Sequence, residues 1–226
     1  MFKIYNDDFR NVLPSIVANN PNRQIVIVSD PPFNIGYRYN TYKDKLSDEN
    51  YLELMCKAFG ELPSVIINYP EILYKISKAI DKIPEKVVSW VYNSNTAKQH
   101  RDIAFFDVKP DFSKVRQPYK NPNDKRIKER IARGCKGSKL YDWWNVNQVK
   151  NVSKEKTAHP CQMPIKVMKN IIGILPENAL IIDPFCGSGT TGVASIMLNK
   201  DFIGVEIDTE YCKIAEQRLA ELAGVH

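Results

Sequence analysis

Ser29-Asp30-Pro31-Pro32-Phe33 sets an acid, two prolines and a flat ring directly after the apolar run Ile25-Val26-Ile27-Val28. The run is β-branched throughout and reads as a strand buried on both faces. Proline has no N–H to give a sheet, so the strand must end there, leaving a stiff corner just past its carboxyl end. Such a corner suits a planar base that bears an exocyclic amine. Asp30 and the carbonyl of Pro31 can each accept one amino hydrogen, and Phe33 offers a stacking face. Taken alone, Asp-Pro-Pro is as consistent with an ordinary turn.

A second group carries different chemistry. Gly187-Ser188-Gly189-Thr190-Thr191-Gly192 has the form GxGxxG, follows the strand-like Ala179-Leu180-Ile181-Ile182-Asp183 and opens a helical stretch. Glycines let the backbone approach a ligand, and helix N–H groups face its anionic part. Glu206 closes the next strand, near the spacing of about 20 residues at which an acid accepts from ribose hydroxyls. The pattern points to an adenosine-bearing cofactor and leaves both a dinucleotide and S-adenosylmethionine open. Two features favour the latter. Asp183 would repel a pyrophosphate but pair with a methionine ammonium. Nothing in the chain resembles a nicotinamide substrate site, whereas the Asp30 corner suits methyl transfer to an amine.

The elements that must position these groups follow from periodicity. Residues 7–18 read as an amphipathic helix with Phe9, Val12, Leu13 and Ile16 on one face. Ser47-Asp48-Glu49-Asn50 offers a helix N-terminus ahead of the stripe Tyr51, Leu54, Met55 and Ala58. Residues 64–68 and 87–92 read as strands around a helix at 71–82, and there the regular pattern stops until His159. Beyond it come a helix at 165–174, the strand at 179–183, a helix at 191–198, the strand at 202–206 and a last helix capped by Thr209. Strands alternating with helices predict an α/β fold, a mostly parallel sheet covered on both sides.

Charge divides the chain. The 226 residues carry a formal net charge of +6, yet residues 93–156 hold 16 Lys and Arg against 7 Asp and Glu, a balance of +9. The remainder, 16 basic and 19 acidic, stands at −3. Aromatics lie between the charges of the basic segment, among them Phe105, Phe106, Phe112, Tyr119, Tyr141, Trp143 and Trp144. Basic residues interleaved with aromatics suggest a polyanion with stackable bases. No apolar run is long enough to cross a bilayer, and Met1-Phe2-Lys3-Ile4-Tyr5 is not a signal peptide. Five scattered cysteines without a CxxC pair indicate neither a disulfide framework nor a metal site, so a reducing cytoplasm is the expected compartment.

Taken together, these residues resemble the amino-methyltransferases of DNA that act on N6 of adenine or N4 of cytosine. Asp30-Pro31-Pro32-Phe33 matches their catalytic motif [DNS]PP[YF], and Asp183-Pro184-Phe185-Cys186-Gly187-Ser188-Gly189 matches their cofactor motif, with Glu206 as the ribose acid. Ile4-Tyr5-Asn6-Asp7-Asp8 is similar to the segment whose acid, here Asp8, reaches the cofactor's adenine amine. His159-Pro160-Cys161-Gln162-Met163-Pro164 is similar to the HPTQKP segment beside the methionine tail. Motif order resembles the permuted β class, and Asp before the prolines resembles the adenine branch. Phe33 for the usual tyrosine keeps the ring and loses a hydroxyl, and Met163 stands where lysine is common.

The resemblance implies a circularly permuted Rossmann-like sheet made of a catalytic half (1–92), a basic target-recognition insertion (93–156) and a cofactor-binding half (157–226). It implies S-adenosylmethionine held by Asp8, His159, Pro160, Gln162, Asp183, Pro184, Phe185, Gly187, Ser188, Gly189, Thr190, Thr191 and Glu206. Double-stranded DNA would be bound at Lys120, Lys125, Arg126, Lys128, Arg130 and Arg133. A homodimer, a cognate restriction enzyme and a second methyltransferase are compatible partners, and no membrane or metal is expected. The expected reaction is direct methyl transfer to N6 of a flipped-out adenine. Cytosine N4 is the nearest alternative, followed by an RNA base, a protein glutamine amide, and a DNA-binding module with a vestigial pocket. Attack on an exocyclic amine needs no covalent intermediate, so Cys161 is not expected to act as a nucleophile.

Overall fold

A computed structural model describes residues 1–150, 153, 155–159 and 161–224. Eight of its strands form one sheet: β1 (Phe2–Asn6), β2 (Ile25–Ser29), β3 (Ser64–Asn68), β4 (Lys86–Val91), β5 (His100–Phe106), β8 (Trp143–Asn145), β9 (Leu180–Asp183) and β10 (Phe202–Glu206). Two short strands, β6 (Arg116–Gln117) and β7 (Ser138–Lys139), pair apart from it. The sheet order is β1-β10-β9-β2-β3-β5-β4-β8. Strand β5 runs antiparallel to both neighbours while the other pairings are parallel.

Alternation along the central strands splits the core in two. Val26, Val28, Val65, Ile67 and Ile181 face helices α5 (Ile165–Gly173) and α6 (Thr190–Met197), with Leu219 of α7 (Thr209–Ala223) in the same cluster. Ile25, Ile27, Ile66, Leu180 and Ile182 face α1 (Phe9–Ala18), α2 (Asp48–Phe59) and α3 (Pro70–Ala79). Every residue of β2 and β3 is buried. A strand covered on both faces carries apolar residues at both parities, as expected of these uninterrupted runs.

The structure differs from the sequence reading in four places. Phe2–Asn6, read only as a motif, is an edge strand paired with β10. His100–Phe106 lies within the span assigned to the basic insertion, yet it is a strand of the main sheet, its last four residues buried. Its leading residues are polar because they sit at the sheet's rim, and that masks the strand in the sequence. Trp144 is buried against the same core. Asp208, not Thr209, caps α7, its carboxylate accepting from the N–H of Glu210 at 3.0 Å and of Tyr211 at 3.1 Å.

Candidate active site

Strands β2 and β9, far apart in sequence, are hydrogen-bonded neighbours, Ile25 opposite Leu180 and Ile27 opposite Ile182. Their carboxyl ends therefore open side by side, and in an open α/β sheet that rim is where ligands sit. Asp183 ties the two ends together. Its carboxylate accepts from Ser29 Oγ at 2.6 Å, from Thr191 Oγ1 at 2.5 Å and from the Phe185 N–H at 3.1 Å. Burial nevertheless pushes its pKa up to about 6, against the pull of these donors. The carboxylate read from sequence as a partner for an ammonium is thus also the strut between the proline corner and the glycine loop.

A cavity of about 300 Å³ opens above this rim. Of the residues singled out in the sequence, Asp8, Asp30, Pro31, Pro32, Phe33, His159, Pro184, Phe185, Gly187 and Glu206 line it. A recess of about 40 Å³ adjoins it, lined by Gln162, Asp183, Ser188, Thr190 and Thr191 and sharing Asp30, His159, Phe185 and Gly187 with the larger space. Gly189 lines neither. At φ +76° it lets the loop rest on α7, where a Cβ would come within 2.9 Å of Ala215 Cβ. Pro160 lies outside the described residues.

Asp30 stands one residue beyond β2, its side chain 13% exposed. Burial, with a further push from Asp183, raises its pKa to about 7 against the opposing pull of Arg101. One carboxylate oxygen, Oδ2, lies 3.7 Å from Arg101 Nη1, and the other, Oδ1, has no partner among the described residues. Arg101 was not singled out in the sequence. It reaches the rim because β5 runs against its neighbours and so starts where β2 and β3 end, Asp102 pairing with Asn68. Its guanidinium carbon lies 4.5 Å from the ring centre of Phe33, 5.3 Å from Trp90, 5.6 Å from Tyr69 and 6.0 Å from Tyr92. The alternation His100-Arg101-Asp102-Ile103 carries no local signal for this.

The glycine-loop side of the cavity joins backbone and side chains. Gly187 has φ +50°, and a Cβ there would meet His159 Nε2 at 2.8 Å. His159 packs edge-on against Tyr211, its ring centre 4.5 Å away, and its Nδ1 has no partner among the described residues. Burial, then Lys156 and Arg218, lower its pKa to about 4, so it is neutral at pH 7. Glu206 accepts from the N–H of Gly187 at 2.8 Å and of Asp208 at 2.9 Å, which sets its carboxylate at the cavity wall. Asp8 caps α1 and pairs with Arg10, while Gln162 accepts from the Thr157 N–H at 2.8 Å and so braces its own segment. Cys161 lines the cavity as a neutral thiol, because burial raises its pKa.

The segment after the corner folds over the cavity around Asp44, which sequence reading passed over. This carboxylate, 2% exposed, accepts from the N–H groups of Asn34 at 2.8 Å, Ile35 at 3.2 Å and Tyr37 at 2.9 Å. Thr41 Oγ1 reaches across to Asp208 at 2.7 Å. Tyr37, Tyr39 and Tyr42 are thereby held on the wall of the same space.

Residues 25–217 match a family model described as DNA methylase, N6_N4_Mtase. The chain belongs to this DNA methylase family. The methylase is 27% identical over 218 residues to Type II methyltransferase M.HpaI of Haemophilus parainfluenzae, a match that covers 86% of this chain and 67% of the relative. It is 24% identical over 230 residues to the DNA adenine methyltransferase YhdJ of Escherichia coli, 86% of this chain and 75% of that one. Among solved structures, the fold is similar to that of M1.HpyAVI in complex with SAM, with a TM-score of 0.67 at 23% identity over 97% of this chain and 99% of the other. It is also similar to the PvuII cytosine-N4-specific DNA methyltransferase, with a TM-score of 0.66 at 16% identity over 99% and 90%.

The basic residues expected from the sequence to bind DNA stand outside the cavity lining. Helix α4 (Lys125–Ala132) has no buried residue, and Lys120, Lys125, Arg126, Lys128, Arg130 and Arg133 are all exposed. Lys120 Nζ lies 4.9 Å from the rings of both Tyr141 and Trp143. Among the described residues no helix is long and apolar enough to cross a membrane, and no cluster of potential metal ligands occurs.

Proposed function

We propose that this DNA methylase is of the permuted β type and transfers a methyl group from S-adenosylmethionine to N6 of an adenine flipped out of double-stranded DNA. The observation that carries the reading is the shared cavity: the Asp30 corner and the Gly187 loop with Glu206 line one and the same space. The residues present fit the cofactor. Gly187 lets the loop backbone pass close against His159, where a Cβ would come within 2.8 Å of Nε2, His159 Nδ1 has no partner among the described residues, and Glu206 offers acceptors for ribose hydroxyls. When bound, S-adenosylmethionine supplies an electrophilic methyl group on a sulfonium.

The chain's own residues do the rest. Asp30 Oδ1 and the Pro31 carbonyl accept the two hydrogens of N6, which turns its lone pair out of conjugation with the ring, and the proton that N6 sheds on gaining the methyl group passes to Asp30 or to water. Both acceptors strengthen as positive charge develops on that nitrogen, so they favour the transition state over the ground state. Phe33 stacks on the extruded base, returning about 1–3 kcal/mol of the unstacking cost. His159 is neutral and sets no like charge beside a sulfonium. Lys120, Lys125, Arg126, Lys128, Arg130 and Arg133 bind phosphates and hold the duplex in register.

Asp rather than Ser before the prolines, and the adenine-specific name of the YhdJ relative, support adenine as the target. A restriction enzyme reading the same sequence is the companion this reading implies, and genomic DNA as substrate implies a cytoplasmic enzyme. Single-molecule sequencing of DNA from a methylation-free host expressing the chain tests it, with mass spectrometry of the nucleosides. N6-methyladenine in one short sequence context is expected. N4-methylcytosine would overturn the base assignment, and unmodified DNA would overturn the activity.

A further inference from the structure

The proline corner explains how an exocyclic amine is gripped but not what rejects the wrong base. Asp30 Oδ1 and Arg101 Nε are both buried, and among the described residues both are without a hydrogen-bond partner. They belong to side chains that already approach at 3.7 Å through Oδ2 and Nη1, each little exposed. Burying a free acceptor beside a free donor is costly unless a ligand satisfies both. The flat walls around them are Phe33, Tyr69, Trp90 and Tyr92.

An acceptor next to a donor complements an N–H donor next to a ring-nitrogen acceptor. Adenine shows that edge at N6 and N1, and cytosine at N4 and N3. Guanine and thymine show a carbonyl acceptor beside a protonated ring nitrogen, the reverse pattern, which would set acceptor against acceptor and donor against donor. Arginine cannot give up its proton to adapt.

We propose that Arg101 is a base-reading residue: with Asp30 holding the amine, its Nε–H donates to the adjacent ring nitrogen of the flipped base, N1 of adenine. The inference rests on the methyltransferase reading above. The same bond protects that ring nitrogen, since its lone pair, the stronger nucleophile of free adenine, is engaged and turned from the methyl donor. Met163 fits the same account. Its sulfur accepts from Arg101 Nη1 at 3.8 Å, where a lysine would set a second cation against the guanidinium.

The test is a cycle between one side chain and one substrate atom. Duplexes carrying the site mapped by sequencing are made with adenine, 1-deazaadenine or 7-deazaadenine at the target, and kcat/KM is measured for wild type and Arg101→Met. Base extrusion is followed separately by 2-aminopurine fluorescence at the target, an analogue that keeps N1. For wild type, losing N1 should lower kcat/KM roughly ten- to hundredfold, the size of one hydrogen bond to a charged group, while losing N7 should cost little. In Arg101→Met the 1-deaza penalty should largely vanish, and the 2-aminopurine signal should fall. Equal penalties for the two analogues in wild type, or an undiminished 1-deaza penalty in the variant, would overturn the inference. If Arg101→Met does not fold, the wild-type comparison of analogues still decides. Failure of the wild type to modify any DNA counts instead against the activity itself.

Discussion

Asp30→Asn removes one titration from the folded chain with almost no change of shape, and its consequences can be worked out. In wild type the carboxyl is pushed up to about 7, by burial first, with Asp183 adding to it and Arg101 opposing; its ordinary value is 3.8. Between those values the folded state holds a proton that the unfolded state lacks. That contribution to stability is therefore complete in acid and is lost as pH rises through about 7. From about pH 5 to pH 7 the loss amounts to about 2 kcal/mol. His159 runs the other way, being lowered from 6.5 to about 4, but it does so in both proteins. Arg101 without its counter-ion adds an offset that does not vary with pH.

The assay is urea unfolding of both proteins across that range. Wild type should lose about 2 kcal/mol relative to Asp30→Asn between the two pH values. Parallel stability curves would refute the burial argument. Activity gives the matching signature. Asp30 must be ionised to accept an amine hydrogen, so kcat/KM of wild type should fall about tenfold per pH unit below 7. At pH 8 the variant should be at least about a hundredfold slower, the typical loss of a preorganised polar group. A wild-type rate that stays flat below pH 7 would remove Asp30 from the chemistry.

Three further outcomes are expected. Gly187→Ala places a methyl group against His159 at a positive φ, so calorimetry should show S-adenosylmethionine binding lost or severely weakened while circular dichroism is unchanged. Asp44→Ala leaves three N–H groups of the covering segment without their acceptor, and denaturant unfolding should register a loss of about 1–3 kcal/mol together with a raised KM for the cofactor. Reversing Lys125, Arg126, Lys128 and Arg130 to Glu should weaken DNA binding and flatten its salt dependence by roughly 0.9 for each phosphate no longer neutralised, leaving cofactor affinity and melting temperature in place.

Much of this molecule is legible locally. The runs 25–29, 64–68, 180–183 and 202–206 are apolar at both parities and end in polar residues, so each declares a doubly covered strand and the point where it stops. Asp30-Pro31-Pro32-Phe33 and the Gly187 loop are legible for the same reason, since a proline pair and a positive-φ glycine constrain the chain whatever surrounds them. Edge and rim positions are not. Strand β1 is half exposed, and β5 begins with three polar residues because it enters the sheet at the rim where the cavity opens. Only tertiary structure makes β2 and β9 neighbours and turns β5 against the sheet, bringing Arg101 onto Asp30 and Phe33. Strand pairing is a match between hydrogen-bond ladders and buried faces distant in the chain, and no window of sequence contains both partners.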